Sequence, residues 1–457
     1  MADPSTIKEP PLLDRDELTA RGLAARERLA LADLGSWRSS DRKADPVDLI
    51  AEQATTRMPE LVPVRHGRMA VSAATFYRGA ALPMAADLAT RPNSGLRVQL
   101  GGDAHLSNFG LFASPERDLL FDMNDFDETL AGPFEWDVKR LAASCVVAAR
   151  GRGFTEHDGR RTAHAAVGSY RERMRSYAVM GALEIYYSHV AVTEIMGYVS
   201  KRAKPYLAST VKAATRRDAL AEFAKLTAVD DTGEHRLIDH PPTMFHSPLI
   251  EQADPQYALQ HYRSTLQEDR RALLDRFRLV DAAVKVVGVG SVGLAAIVIL
   301  MVEGASGDPL FLQVKEAEAS VLERFLSKSP FDNHGERVVA GQRRLQAAGD
   351  ILLGWTKGRL GRHVYVRQLH DQKGSAVIEA MTADDLKTWA ILCGWALARG
   401  HARSGDPASI AAYLGDDDVF DRAIGEFAVA YADQTERDFA AFTAAIKAGR
   451  LETQSGV

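Results

Sequence analysis

Two patterns of hydrophobic positions recur along the chain, and each predicts a different kind of element. Continuous or β-branched apolar runs between turn residues predict strands. They occur at 109–112, 119–121, 284–287, 294–302, 310–315, 351–355 and 363–369. Apolar positions spaced three and four residues apart predict helices. The clearest predicted helices cover 14–34, 157–179, 336–348 and 386–397, and 316–324 is also helix-like. Strands clustered in one part of the chain, with helices before and after them, predict an α+β architecture.

Polar residues at the ends of the first two predicted strands form a candidate catalytic motif. Asp103 and Asn108 precede the strand 109–112, and Asp125 and Asp127 follow the strand 119–121. A hairpin of these strands would return Asn108 and Asp125 to the same end. An Asp that addresses an acceptor hydroxyl, with an Asn and a later Asp that share metal ions, is the set a magnesium-dependent phosphotransferase needs. Either motif alone reads as an acidic surface turn, but together they favour catalysis.

A glycine-rich loop follows much later, at 288–293. Its glycines are Gly288, Gly290 and Gly293, a G-x-G-x-x-G spacing that fits either a dinucleotide-binding fold or a kinase. The following run, 294–302, is apolar and lacks a helical polar face, so it predicts a strand. A turn and a further strand ending in Lys315 come next. Kinases have the same order of elements, which is a strand, a glycine loop, a strand, a turn and a strand that carries a Lys. We therefore assign Gly288, Gly290, Ser291, Gly293 and Lys315 to nucleotide phosphates.

These motifs resemble the Gly-Asp-x-His-x-x-Asn and Asp-Phe-Asp motifs of aminoglycoside phosphotransferases and choline kinases, members of the protein-kinase-like superfamily. The whole chain also resembles a bacterial family catalogued as domain of unknown function 2252, whose name carries no activity. The kinase-like resemblance implies ATP and magnesium, with Asp103 as the catalytic Asp and Asn108 and Asp125 as metal ligands. Gly101 departs from the resemblance, because a His usually precedes the Gly-Asp pair.

The order of the motifs is a larger departure, because Asp103 precedes the glycine loop instead of following it. A circular permutation of a two-lobed kinase-like fold would explain this order, with a small antiparallel-sheet lobe and a large helical lobe. The expected parts are an N-terminal helical segment (1–95), a large lobe with the catalytic loops (96–270), a small nucleotide-binding lobe (281–375) and helices that return to the large lobe (376–457). Gln368 and Leu369 would then present backbone groups to adenine.

Further residues near these motifs have less specific roles. Arg78 is a candidate for contact with substrate or phosphate, since Arg binds phosphate with two parallel hydrogen bonds; a structural ion pair is the alternative. Asp127 is expected to support a second metal ion or to orient the ligands of the first one. The acid that pairs with Lys315 is expected among Glu318, Glu323 and Glu336, with Glu336 preferred. The His- and Asp-containing stretch 228–256 is expected to form an irregular segment on the surface. A metal site and a substrate lid are the alternatives.

Composition limits the partners. The 457 residues carry a net charge of −5, which gives no broad basic field for nucleic acid. The two cysteines, Cys145 and Cys393, lie in apolar helical contexts and predict no disulfide framework. We find no signal peptide and no apolar run long enough for a membrane span, so a cytoplasmic location is expected.

The sequence therefore predicts an ATP- and magnesium-dependent phosphotransferase. Its acceptor is an unknown, small-molecule hydroxyl compound, and neither nucleic acid nor a membrane is an expected partner. Two alternatives remain open. One is a kinase-like nucleotidyl transferase that transfers AMP, and the other is a non-catalytic ATP-binding regulator.

Overall fold

The protein is an α+β chain in which helices predominate and the sheets are antiparallel, as the sequence predicts. The computed structural model describes residues 12–198, 204–215, 219–286, 288–369, 374–375 and 377–454. The α-helices are α1 (Arg15–Arg28), α2 (Pro46–Ala54), α3 (Val62–Met69), α4 (Ala73–Gly79), α5 (Ala81–Leu88), α6 (Glu135–Gly151), α7 (Glu156–Ala178), α8 (Ala182–Tyr187), α9 (Val192–Tyr198), α10 (Lys204–Thr215), α11 (Ala219–Leu226), α12 (Pro248–Ala253), α13 (Pro255–Arg263), α14 (Glu268–Leu274), α15 (His334–Leu345), α16 (Ala383–Ser404), α17 (Pro407–Leu414) and α18 (Val419–Lys447).

The strands belong to four antiparallel groups. They are β1 (Arg97–Leu100), β2 (Phe109–Ala113), β3 (Leu119–Met123), β4 (Leu130–Pro133), β5 (Thr227–Val229), β6 (His235–Leu237), β7 (Met244–Phe245), β8 (Phe277–Lys285), β9 (Ala296–Glu303), β10 (Pro309–Glu316), β11 (Gly354–Lys357), β12 (His363–Gln368) and β13 (Gly374–Ser375). The largest sheet has the order β11-β12-β10-β9-β8-β7. A second has the order β13-β2-β3, and β1-β4 and β5-β6 form pairs.

The largest sheet is buried on both faces. Ile297, Ile299 and Leu312 pack with one apolar cluster, whereas Val298 and Phe311, which point to the opposite face, pack with another. Successive side chains of a strand point to opposite faces. A strand covered on both sides is therefore apolar at every position, which explains the unbroken run at 294–302.

The largest apolar core lies among α6, α7, α16, α18 and the β2-β3 hairpin. Helix α16 follows the largest sheet in the chain, but it packs against α7 and β3. The indole Nε1 of Trp389 donates to the carbonyl of Leu106 at 3.2 Å. The guanidinium of Arg399 donates to Asp122 Oδ2 at 2.6 Å, and both side chains are buried. These contacts fix α16 to the segment that carries Asp103 and Asn108.

The N-terminal helices α2, α3 and α4 pack on the C-terminal helix α18. The ring of Phe76 lies 6.1 Å from that of Phe439 and 5.3 Å from that of Phe442. Val289, from the glycine-rich loop between β8 and β9, belongs to the same apolar cluster. The glycine loop is therefore packed against the N-terminal helices.

Three segments differ from the sequence prediction. The run 14–34 is not one helix, because α1 ends at Arg28 and a 3-10 turn, Leu31–Gly35, follows. The residues after Lys315 form a loop and a short 3-10 turn, Val321–Arg324, since Ser320 caps that turn through Leu322 N. The third is 351–355, where the strand begins only at Gly354.

The stretch 228–256 contains β6, β7 and α12, and β7 extends the largest sheet by pairing with β8. His246 contacts Asp239 at 2.7 Å and Asp281 at 3.2 Å. Throughout the ranges that the structure describes, no group of three or more His, Cys, Asp or Glu side chains is arranged to hold a metal ion. Those ranges also contain no helix with the length and hydropathy that crossing a bilayer requires.

Candidate functional site

The loop after β1 holds Asp103 in a fixed backbone frame. Gly102 has φ +84°, and a Cβ added there would lie 2.2 Å from the carbonyl oxygen of Glu128. The carboxylate of Asp137, in the first turn of α6, accepts from Gly101 N at 2.7 Å and from Gly102 N at 3.0 Å. His401 Nε2 lies 3.3 Å from the same carboxylate. Asp137 is therefore a structural anchor for the Asp103 loop.

Arg140 fixes the carboxylate of Asp103. Its Nε donates to Asp103 Oδ1 at 2.6 Å, and its Nη2 donates to the carbonyl of Tyr77 at 2.9 Å. Burial would lower the pKa of Arg140, but the charge and hydrogen bond of Asp103, together with Tyr77, outweigh burial and raise it. His105 Nε2 lies 3.6 Å from Asp103 Oδ2. Burial, with the charges of Arg140 and Arg78, holds the pKa of His105 well below its usual range, so this imidazole is neutral.

Asn108 joins the Asp103 loop to the residues after β3. Its side-chain Nδ2 donates to the carbonyl of Asp103 at 2.8 Å, and its own carbonyl accepts from Asn124 N at 2.8 Å. Strands β2 and β3 pair with Phe109 opposite Met123, so the residues before β2 and after β3 lie at one end of the hairpin. The predicted return of Asn108 and Asp125 to a common end is confirmed.

Asp125 and Asp127 have different electrostatic environments. Asp125 Oδ1 accepts from Asp127 N at 3.1 Å, and burial together with the Asp127 charge raises the Asp125 pKa. Asp127 Oδ2 accepts from Lys315 Nζ at 2.6 Å, and its Oδ1 accepts from the Tyr365 hydroxyl at 2.7 Å. Burial would raise the pKa of Asp127, but Lys315 and Tyr365 outweigh it and lower it. Asp125 is thus the carboxylate whose charge is less well compensated by the protein.

The partner of Lys315 differs from the expectation of a glutamate at Glu318, Glu323 or Glu336. The structure pairs Lys315 with Asp127, and no glutamate takes that place in the ion pair. From α15 it is Arg337, the neighbour of Glu336, that turns toward this region. Arg337 donates to the carbonyls of Asp127 and Glu318, each at 2.8 Å. Glu336 and Arg337 are neighbours on one helix, and the sequence did not indicate which of them faces the loop that carries Asp127.

The glycine loop lines the same cleft as the acidic residues. The cleft wall contains Gly288, Gly290, Ser291, Asp103, Asn108, Asp125, Asp127 and Arg78. Two residues from the N-terminal part of the chain hold the loop. Arg68 donates to Gly288 O at 2.7 Å, and Met58 N donates to Gly293 O at 2.8 Å. Gly293 itself packs against the side chain of Arg57. Most of the predicted site residues are therefore brought together in one cleft.

Gln368 and Leu369 are not part of that cleft wall. The backbone N–H of Gln368 donates to Asp350 Oδ2 at 2.5 Å, and that of Leu369 donates to Phe311 O at 3.0 Å. The Gln368 side chain lines a different cleft, with Ser114, Asn124 and Arg367. Both backbone donors that were expected to meet adenine are thus used within the protein.

Several residues of the cleft lie outside the sequence motifs, and Arg57 and Glu128 are two of them. Arg57 precedes α3 and contributes from a segment that carries no recognisable motif. Glu128 accepts from Val321 N at 2.7 Å through Oε2, and burial raises its pKa to about 7. Its position directly after Asp127 was the only available signal, and an acidic residue next to another gives no specific pattern.

The acidic end of the cleft has the donor set that magnesium accepts. Asp125 and Asn108 supply a carboxylate and an amide oxygen, and Mg²⁺ is commonly held by one or two carboxylates, with waters and substrate phosphates completing its shell. Burial and the Asp127 charge raise the pKa of Asp125, although the charges of Lys315 and Arg367 oppose the shift. These residues therefore fit a magnesium ion that keeps water and substrate phosphates among its ligands, and they do not form a site in which the protein supplies every ligand.

Comparison with known proteins identifies a family. Residues 57–445 match the model of a family described as an uncharacterized protein conserved in bacteria (DUF2252). No curated protein and no solved structure matches the chain. Because the match spans most of the sequence, including the glycine loop and both acidic motifs, the chain belongs to this bacterial family of unknown function.

Proposed function

We propose that the protein is a magnesium-dependent phosphotransferase that moves the γ-phosphate of ATP to a hydroxyl of a small molecule. One observation carries the proposal. Asp103, Asn108, Asp125 and Asp127 share a cleft with the glycine loop, and Lys315 reaches that cleft through its 2.6 Å ion pair with Asp127. These residues come from two separated parts of the sequence. Their meeting supports a common chemical role.

Each residue has a role that its contacts support. Arg140 occupies Oδ1 of Asp103, which leaves Oδ2 to orient the acceptor hydroxyl and take its proton. Asn108 and Asp125 would hold magnesium, and Lys315 and the loop N–H groups would hold phosphate oxygens. Magnesium supplies neutralisation of phosphate charge when it is bound. Such catalysis works through positioning and charge compensation, and the anchored loop at Asp137 supplies the positioning.

The order of the elements supports a circular permutation of a kinase-like fold. Strand β8, the glycine loop, β9, a turn and β10 with Lys315 are consecutive and mutually paired, and α15, β11 and β12 follow. Helix α16 then enters the helical part and contacts the Leu106 carbonyl beside the Asp103 loop. A permuted chain would need this connection, because the catalytic loop precedes the sheet in sequence.

The proposal concerns the phosphate and metal contacts and assigns no residue to adenine, since the Gln368 and Leu369 N–H groups are engaged. An ATP donor is consistent with a cytoplasmic location, which we include in the proposal. Transfer of AMP and non-catalytic binding are the alternatives that the experiment must separate.

The test uses ATP labelled at either the α- or the γ-phosphate. The full-length protein is incubated with magnesium, labelled ATP and a bacterial metabolite extract, and the small molecules are separated from the protein. We expect label from γ in a small-molecule product, and none with Asp103→Asn. Asp231→Asn, an exposed carboxylate in the β5-β6 turn, is the matched control and should retain transfer. Label from α would support AMP transfer, and labelling by neither would leave a binding protein.

A further inference from the structure

Three arginines from the N-terminal helices line the cleft beside Asp103. They are Arg57, which follows α2, Arg65 in α3 and Arg78 in α4. Arg65 is fully buried, and Arg57 is 6% exposed. Burying guanidinium groups side by side is unfavourable unless anions compensate them. Glu318, Glu128 and Asp127 partly offset the burial of Arg57, whereas burial and the charge of Arg57 both lower the pKa of Arg65.

The hydrogen-bond donors of these arginines are incompletely used. Arg65 Nη2 donates to Gln53 Oε1 at 2.8 Å and to Gly79 O at 3.0 Å, yet its Nε and Nη1 have no partner among the described residues. The Nε atoms of Arg57 and Arg78 are likewise buried without a partner there. Within the described ranges, none of the three forms an ion pair with a carboxylate. Buried native donors are almost always satisfied, so these donors are open to an anion or to ordered water in the cleft.

The position of Arg78 relates the cluster to the acceptor side of the cleft. The charge of Arg78 helps to lower the pKa of His105, after burial and Arg140, and His105 lies 3.6 Å from Asp103. Lys315 instead pairs with Asp127. A Cβ added to Gly290 would lie 3.2 Å from the Arg78 carbonyl, so α4 meets the glycine loop here. An anion at Arg65 and Arg78 would therefore be held next to the carboxylate that addresses the acceptor.

We propose that Arg65 and Arg78, with Arg57 beside them, form an anion subsite that binds a phosphate group on the acceptor itself. Guanidinium groups match phosphate oxygens with parallel charge-assisted hydrogen bonds, and three of them suit a dianion. The acceptor class is then a small phosphate ester with a free hydroxyl. This assignment of the acceptor rests on the proposed phosphotransfer, whereas the anion subsite itself does not.

Inorganic phosphate is the probe. Its affinity for the full-length protein is measured by calorimetry and by thermal unfolding, with and without saturating magnesium and a non-hydrolysable ATP analogue. We expect phosphate to bind in both conditions, because the analogue already fills the γ-phosphate position. Arg78→Gln should weaken phosphate binding by about tenfold or more, the loss expected for a charge-assisted contact. Arg160→Gln removes an exposed arginine from α7 and should change nothing.

Arg65→Gln tests the buried member of the cluster and is interpreted together with its circular dichroism spectrum, because Arg65 also holds Gly79 O. The half-buried Arg78 keeps the test decisive if that variant fails to fold. Absence of phosphate binding in the wild type, or equal binding by Arg78→Gln, would overturn the subsite. If the ATP analogue excludes phosphate, the arginines hold the nucleotide and the acceptor assignment is wrong. Phosphate binding that depends on Arg78 in a protein that binds no ATP analogue would preserve the subsite and reject the phosphotransfer.

Discussion

Lys315 Nζ lies 2.6 Å from Asp127 Oδ2, although 188 positions separate the two residues in the chain. The contact joins β10 of the largest sheet to the loop that follows the β2-β3 hairpin. Both partners are mostly buried, with side-chain exposures of 4% and 20%. Burial would lower the pKa of Lys315, but Asp127, Tyr365 and Asp125 together outweigh burial and raise it, so the ammonium remains charged in the cleft. The pair therefore brings a permanent cation to the region that we assign to nucleotide phosphates.

The first prediction concerns this lysine and nucleotide binding. Saturating ATP with magnesium should raise the free energy of unfolding, by about 2.7 kcal/mol at a concentration one hundred times Kd. Lys315→Ala should remove most of this gain, because it deletes the proposed phosphate contact. Lys43→Ala, at an exposed position, should keep it. Thermal unfolding with and without nucleotide is the measurement, and an unchanged wild-type Tm would contradict the prediction.

The second prediction separates the roles of Asp103 and Asp125. Asp103→Asn should abolish turnover while nucleotide affinity stays nearly unchanged, because we propose that Asp103 addresses the acceptor. Asp125→Asn should weaken magnesium-nucleotide binding as well as turnover, because it removes a proposed metal ligand. Calorimetric titration of each variant with the ATP analogue and magnesium provides the comparison. Equal binding defects in the two variants would show that this division of roles is wrong.

The third prediction concerns the buried ion pair that fixes α16 to β3. Removing one partner of such a pair leaves a buried charge uncompensated, so Arg399→Ala should lower the free energy of unfolding by about 3–5 kcal/mol. The control is Arg422→Ala, which removes a surface pair with Asp418 at i,i+4 spacing and should cost about 0.5 kcal/mol or less. Denaturant unfolding measures both. Similar losses in the two variants would contradict the structural role of Arg399.

The fourth prediction tests the backbone of the catalytic loop. Gly102→Ala should destabilise the protein by more than about 2 kcal/mol and reduce any activity, because a Cβ would meet the Glu128 carbonyl at 2.2 Å. Gly153→Ala has a comparable φ of +72° but no atom within 4 Å of the added Cβ, so it should cost only about 1 kcal/mol. The difference in unfolding free energy between the variants isolates the steric contact.

The fifth prediction concerns pH. Burial lowers the pKa of Lys139 from 10.5 to about 8, despite the opposing charge of Glu135. The stability associated with this group is therefore fully present above pH 10.5 and is lost as the pH falls through about 8. Relative to Lys139→Met, the wild type should gain about 2–3 kcal/mol between pH 7 and pH 10. Urea unfolding across this range checks the difference, with Lys43→Met as the exposed control. A constant difference would contradict the assignment.

Local features of the site were predictable from the sequence, whereas long-range contacts were not. Asn108 and Asp125 flank one hairpin, so alternation and turn residues suffice to bring them together. The partner of Lys315 depends instead on how the largest sheet packs against a loop that is distant in sequence. The spacing of apolar residues along the chain does not predict that packing. Arg57 lies in the turn after α2, where the sequence carries no motif, and only its burial beside Asp103 reveals it. Gln368 is a second example. It lies at the end of a predicted strand, and nothing in the sequence indicated that Asp350 would accept a hydrogen bond from its N–H.

The packing of Val289 has a consequence for how ligands enter and leave. Val289 and Val292 are buried against the N-terminal helices, in clusters with Phe76 and with Leu61. Withdrawing a valine from such a cluster costs about 1.5–3 kcal/mol. The glycine loop therefore cannot lift alone, and its opening is energetically coupled to the helices that carry Arg65 and Arg78. A ligand whose binding displaces the loop would therefore bind more weakly by that amount.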